Sequence, residues 1–144
     1  MERMQTWLES WPGWQGEPLA AQNITATHPA ALRFANRTLK ARHTDVLGCV
    51  RLREARIFWL DWRLPQNGRN PQGAASQVQR VQELADWITR QEVFGKIPPL
   101  DLGVCWQQVR AENDRQVEES REGWAIYRLI ITVEQERVFE EEEE

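Results

Sequence analysis

Residues 46–64, VLGCVRLREARIFWLDWRL, set Leu52, Phe58, Leu60 and Trp62 at alternate positions, with Arg51, Arg53, Asp61 and Arg63 between them. Successive side chains of a β-strand point to opposite faces, so this spacing makes the segment a strand with one apolar and one polar face. Ile57 and Trp59 interrupt the polar face, which is therefore expected to be partly covered. The run is longer than strands usually are, and a bend or turn near Glu54–Ala55 is expected.

The end of the chain repeats the pattern. Ala125, Tyr127, Leu129, Ile131 and Val133 share one face, and Trp124, Ile126 and Ile130 make the other too apolar to be simply solvated. That second face meets another layer of the same domain or another molecule. A strand over LGVCWQQVRAE precedes it, running to about Glu112, and a polar loop, NDRQVEESREG, joins the two.

Two helices are expected beside these strands. Met4, Trp7, Leu8 and Trp11 fall at helical spacing, and Pro12-Gly13 stops that run. Asn67-Gly68 and Asn70-Pro71 mark a loop, after which Val78, Val81, Leu84, Ala85 and Ile88 form the stripe of a longer amphipathic helix, Trp87 at its margin. Phe94, Gly95 and Pro98-Pro99 end it. Trp14 to Thr27 reads as extended, and AALRFANRTLKARH as one or two short strands around a turn at Asn36. The fold class is α+β: a mainly antiparallel sheet with one long amphipathic helix and a short N-terminal helix packed on it. With 144 residues a single domain is expected over 1–139, followed by an acidic tail at 140–144.

A composition of 41% apolar and 28% charged residues is that of a globular chain. No apolar run reaches the roughly 18–20 residues of a membrane span, and MERMQTWLES has no signal-peptide core, so a cytoplasmic origin is expected. Phosphate-binding, dinucleotide, zinc-protease and serine-hydrolase motifs are missing, and the reading is of a non-enzymatic part without cofactor. His28 and His43 lack partners at metal-ligand spacing. Cys49 and Cys105, flanked by apolar residues, are expected as small buried hydrophobes, with a functional thiol or disulfide as the alternative.

The net charge of −4 hides an asymmetry. Arg33, Arg37, Lys40, Arg42, Arg51, Arg53, Arg56 and Arg63 crowd the middle, while acids dominate from Asp101 to Glu144. Two unlike faces suit head-to-tail contact between copies. Nucleic-acid binding is disfavoured by the negative total and by the packing role open to Phe58, Leu60 and Trp62. Eight tryptophans exceed what one core obviously needs; either the core is tryptophan-heavy or one or two of them face a partner.

Three stretches, TDVLGCVRLREARIFWLDWRLP, QVQRVQELADWITRQ and VRAENDRQVEESREGWAIYRLIITVEQERVF, together resemble a family of small neck proteins from tailed bacteriophages and prophages of Gram-positive bacteria, described as minor capsid or tail-terminator-type proteins. In the last stretch an Arg-Ala-Glu run leads into a polar loop, and Gly123 opens a strand with Ala125, Tyr127, Leu129, Ile131 and Val133 at alternate positions. Gln135 departs from the family pattern, which has an aromatic there, and so does Trp124, where a small or β-branched residue is usual. The resemblance implies a structural virion protein: six copies closing into a ring that caps the tail tube and meets the head–tail connector, with DNA passing through without specific binding. A connector or stopper of the same neck is the alternative, and a non-viral nucleic-acid-binding or regulatory protein a more distant one. No catalysis and no cofactor are implied, and the location is the virion, assembled in the host cytoplasm. Candidate contact residues are Arg51, Arg53 and Trp59 on the central strand, with Asn113, Asp114, Arg115, Glu118, Glu119, Arg121, Glu122 and Trp124 in and beside the polar loop. The terminal glutamates are either a solubilising end or a source of charge that keeps DNA off a lumen.

Overall fold

A computed structural model describes residues 2–14, 19–21, 30–65, 71–119 and 124–140. The chain is α+β and mostly sheet. Helix α1 (Glu2–Glu9) and a short 3₁₀ turn (Pro12–Trp14) lead to β1 (Leu19–Ala21), β2 (Ala30–Thr44) and β3 (Val50–Pro65). Helix α2 (Pro71–Val93), β4 (Val104–Glu119) and β5 (Trp124–Phe139) follow. The strands lie in the order β1-β2-β3-β5-β4; the four long ones are antiparallel, and β1 runs parallel to β2.

Phe58, Leu60 and Trp62 of β3 pair with Ile131, Leu129 and Tyr127 of β5, so the apolar residues of both strands fall on one face. Both helices pack there. Met4, Trp7 and Leu8 of α1 and Val81, Leu84 and Ile88 of α2 are buried against that face, with Trp11, Trp14 and Trp62 filling the space between. The side chain of Val78 lies outside the described residues. Helix α2 ends in a Schellman motif: Lys96 N–H donates to Gln91 O and Gly95 N–H to Glu92 O. This places Gly95 at φ 64°, a left-handed conformation that costs glycine little.

Several expectations are corrected. β2 is one continuous strand, carrying bulges between Phe34 and Asn36 and between Leu39 and Ala41 where a turn was expected. β3 has no bend at Glu54–Ala55; its pairing with β5 is regular from Val50 to Pro65. Glu54 instead points into the covered face, fully buried, because Arg37 of β2 and Arg137 of β5 neutralise it from both sides. The strand also starts later than its apolar character suggests. Asp45, Val46, Leu47, Gly48 and Cys49 form a tight hairpin loop in which Asp45 Oδ1 accepts N–H from Leu47 at 2.8 Å and Cys49 at 3.0 Å. Gly48 takes φ 88° there, as a three-residue hairpin loop requires.

The segment after Glu112 is not a loop. β4 continues to Glu119, paired with β5 as far as Ala125, so Asn113, Asp114, Arg115, Glu118 and Glu119 belong to a strand. Backbone pairing with β5 overrides the polarity that suggested otherwise, because an edge strand tolerates charged side chains. The cysteines are corrected too: Cys49 is half-buried, Cys105 exposed, and both are free thiols.

Gln135 has its own explanation. The row Leu39–Glu54–Gln135–Gln107 crosses the sheet just beyond the apolar rows. Gln135 is fully buried and its Nε2 donates to Gln107 Oε1 at 3.0 Å. Gln107 in turn accepts from Leu100 N–H at 2.9 Å and donates to Pro98 O at 3.0 Å, holding the chain that follows α2. An aromatic ring would remove that chain of hydrogen bonds.

Candidate interaction surfaces

The face of the sheet opposite the helices carries Ile57, Trp59, Asp61 and Arg63 of β3 beside Ile126, Arg128, Ile130 and Thr132 of β5. No described helix or strand covers it, and these side chains are half-buried. Trp59 is the centre of a compact group. Arg128 lies 3.8 Å from its ring centroid and Arg33 5.0 Å. Arg128 Nε donates to Asp61 Oδ1 at 2.8 Å, and Arg33 Nη2 to Oδ2 at 3.3 Å. One carboxylate shared by two guanidinium groups, both held against an indole, is a rigid polar surface with an apolar middle.

Arg51 and Arg53 share this face but not this group. Arg51 pairs with Glu136 at 3.7 Å, and the Arg53 guanidinium lies 4.3 Å from the ring centroid of Trp106. Eight residues of strand separate Arg51 from Trp59, about 26 Å. The candidates nearer the other end of the sheet are Asn113, Asp114, Arg115, Glu118, Glu119 and Trp124, whose side chains lie outside the described residues. Arg121 and Glu122, and Glu141 to Glu144, lie wholly outside them. Among the described candidates, Arg51 and Arg53 thus stand apart from the Trp59 group.

What the sequence reading missed lies nearby. Arg33, Asp61 and Arg128 come together from three strands, with 28 and 67 residues between the paired positions, so no local spacing announces them. The hairpin tip is the other omission. Val46 is 102% exposed and Leu47 87%, the least covered apolar side chains described. Asp45 followed two residues before a glycine by apolar Val46-Leu47 was a readable turn signal, hidden by their strand-like character. Phe139 is exposed too, and Val50, which it pairs with, borders the same tip. Partial desolvation, and then the Asp45 carboxylate, push the Cys49 thiol up from its ordinary pKa, which lowers its thiolate fraction.

A groove of about 800 Å³ opens between α1 and the chain that follows α2, lined by Arg3, Thr6, Trp7, Gln91 and Lys96 among others. Among the described residues no helix is long and apolar enough to cross a membrane. No protein-family model matches the sequence, and comparison with curated proteins finds no match either.

Proposed function

We propose that the protein is a structural subunit of a tailed-phage virion, a tail terminator whose copies form a six-membered ring on the end of the tail tube and join it to the head–tail connector. In this reading α2 is the long amphipathic helix, packed with α1 on one side of the sheet. DNA passes through the ring without specific binding, and the protein performs no chemistry. It is assembled in the bacterial cytoplasm and works in the neck of the virion. The reading begins from the resemblance of the three sequence stretches.

The single structural observation that supports it is the hairpin tip. β3 and β5 are each 16 residues long, about 50 Å, so the subunit is a tall sheet with distinct ends. Val46 and Leu47 stand bare at one of those ends, held out by the Asp45 turn. Exposed apolar side chains on a rigid tip suit end-on docking against another ring far better than they suit water.

The test adds purified protein to preformed tail tubes and scores capped ends in negative-stain images. The double variant Val46→Asp, Leu47→Asp is expected to keep its circular dichroism and native mass, because neither side chain touches the core, and to lose capping. Capping that survives in the variant removes the tip from the contact. Wild-type protein that ignores tubes but binds the connector turns the reading into that of a stopper.

A further inference from the structure

Among the described residues, both edges of the sheet lack a further strand along most of their length. The strand order ends in β4 on one side, and on the other β1 pairs only with Ala30–Leu32, leaving β2 from Arg33 to Thr44 with no described strand beyond it. Open strand edges present unpaired N–H and C=O groups, and a protein that leaves two of them exposed risks pairing with other chains. Their charges differ in sign. β2 carries Arg33, Arg37, Lys40 and Arg42 and no carboxylate. β4 carries Glu112, Asp114, Glu118 and Glu119 against Arg110 and Arg115.

We infer that a second copy of this chain adds to the sheet edge to edge, β4 of one subunit against β2 of the next, as the contact that builds the ring. The inference rests on the ring reading above and supplies its interface. Charge separates the pairings: β2 against β2 sets like charges side by side, whereas level copies joined β4 to β2 bring Glu112 into the row of Arg33. Direction agrees. The four long strands alternate, so β2 and β4 are themselves antiparallel. Rotation about an axis along the strands then carries β4 of one copy next to an antiparallel β2, and the alternation continues across the boundary. Such a contact is heterologous: it does not stop at a dimer, and it makes a ring where the rotation between copies closes.

The rows of the sheet give the register of copies that stand level. One row runs Arg33–Trp59–Ile130–Glu112, ending in opposite charges at its two edges. Three rows on, Arg37–Arg56–Val133–Val109 has a side-chain acceptor at each end. Asn36 Oδ1 takes the Arg37 N–H at 2.8 Å, and Glu92 Oε2 takes the Val109 N–H at 3.1 Å. Glu92 therefore stands on the β4 edge, where a neighbour's carbonyl would otherwise accept. Val93 and Phe94, exposed to 71% and 70%, follow it in the chain. Phe34 and Leu39 of β2, exposed to 42% and 56%, lie on the helix-covered side of the sheet as well.

A native thiol makes the register testable. Val104 shares a row with Arg42, and Trp106 shares one with Ala41, so the exposed Cys105 is level with Ala41–Arg42 of the next copy. The experiment takes the full chain with Cys49→Ser, adds Ala41→Cys at an exposed position, and applies a mild oxidant before non-reducing electrophoresis. The expected result is a ladder of disulfide-linked multimers beyond the dimer, lost when Cys105→Ser is added. A ladder that survives Cys105→Ser, a product no larger than a dimer, or no cross-link at all overturns the inference. Native mass and tube capping, measured on the uncross-linked protein, separate the two ideas. Rings without the cross-link remove this interface and leave the terminator reading standing. The cross-link without capped tubes does the reverse.

Discussion

Replacing Arg137 with alanine is expected to lower folding stability by about 3–5 kcal/mol, the range for removing one partner of a buried ion pair. The Glu54 side chain has no exposed area, and its two oxygens are divided between Arg137 Nη1, at 3.1 Å, and Arg37. Arg137 also lies 3.4 Å from Asp101 Oδ2, and its Nε donates to Leu102 O at 3.1 Å. Alanine removes these together and leaves a buried carboxylate leaning on Arg37, half of whose side chain is in water. That remaining partner should hold the loss near the low end of the range. The triple variant Glu54→Leu, Arg37→Met, Arg137→Met removes the charges with their partners, and is expected within about 1–2 kcal/mol of wild type, since apolar replacement of a whole buried cluster is often neutral. Urea unfolding at one fixed protein concentration measures both, with the slope checked for constancy. A single variant that loses under about 1 kcal/mol would show that the carboxylate reaches water without Arg137.

The same cluster shows why part of the fold was not legible beforehand. Alternation in β3 and β5 gave the covered face correctly through Phe58, Leu60, Trp62, Leu129, Ile131 and Val133, because strand periodicity is local. The length of the β3 run suggested a bend at Glu54–Ala55, where a carboxylate falls on the apolar face. What removes the conflict is charge arriving from Arg37 and Arg137, 17 and 83 residues away, and no window of sequence contains all three. The polar run after Glu112 misled for a related reason: pairing with β5 makes it a strand, and an outermost strand needs no apolar face to keep its place. The Trp59 group is invisible for the same cause, since Arg33 and Arg128 reach Asp61 only once β2, β3 and β5 lie side by side. Val46 and Leu47 reversed the error, being apolar residues that pair with nothing.

Among the eight tryptophans, Trp62 is the one whose loss should cost most. It is 2% exposed and stands where the two helices meet the sheet. Its ring centroid is 4.8 Å from that of Trp14 and 6.0 Å from that of Trp11, the latter edge-on at 90°. The Arg80 guanidinium sits 4.9 Å from the same ring and reaches on to Gly13 O at 3.0 Å, tying α2 to the turn that carries Trp14. Trp62→Ala is therefore expected to cost about 3–5 kcal/mol for the cavity alone, with about 0.5–1.5 kcal/mol more for each lost aromatic pair. Trp106→Ala offers the contrast. That ring is 37% exposed and its named contact is Arg53 at 4.3 Å, so the loss should stay near 0.5–1 kcal/mol. Chemical denaturation of both variants, followed by circular dichroism so that the missing fluorophores do not matter, decides the point. Near-equal losses would mean that the tryptophan nest is not where the sheet and helices are held together, and the core would have to centre on Leu60, Leu84 and Ile131 instead. A large loss confined to Trp62 identifies a tryptophan-rich core, and leaves the half-buried Trp59 and the exposed Trp106, among the described residues, as rings that can meet a partner.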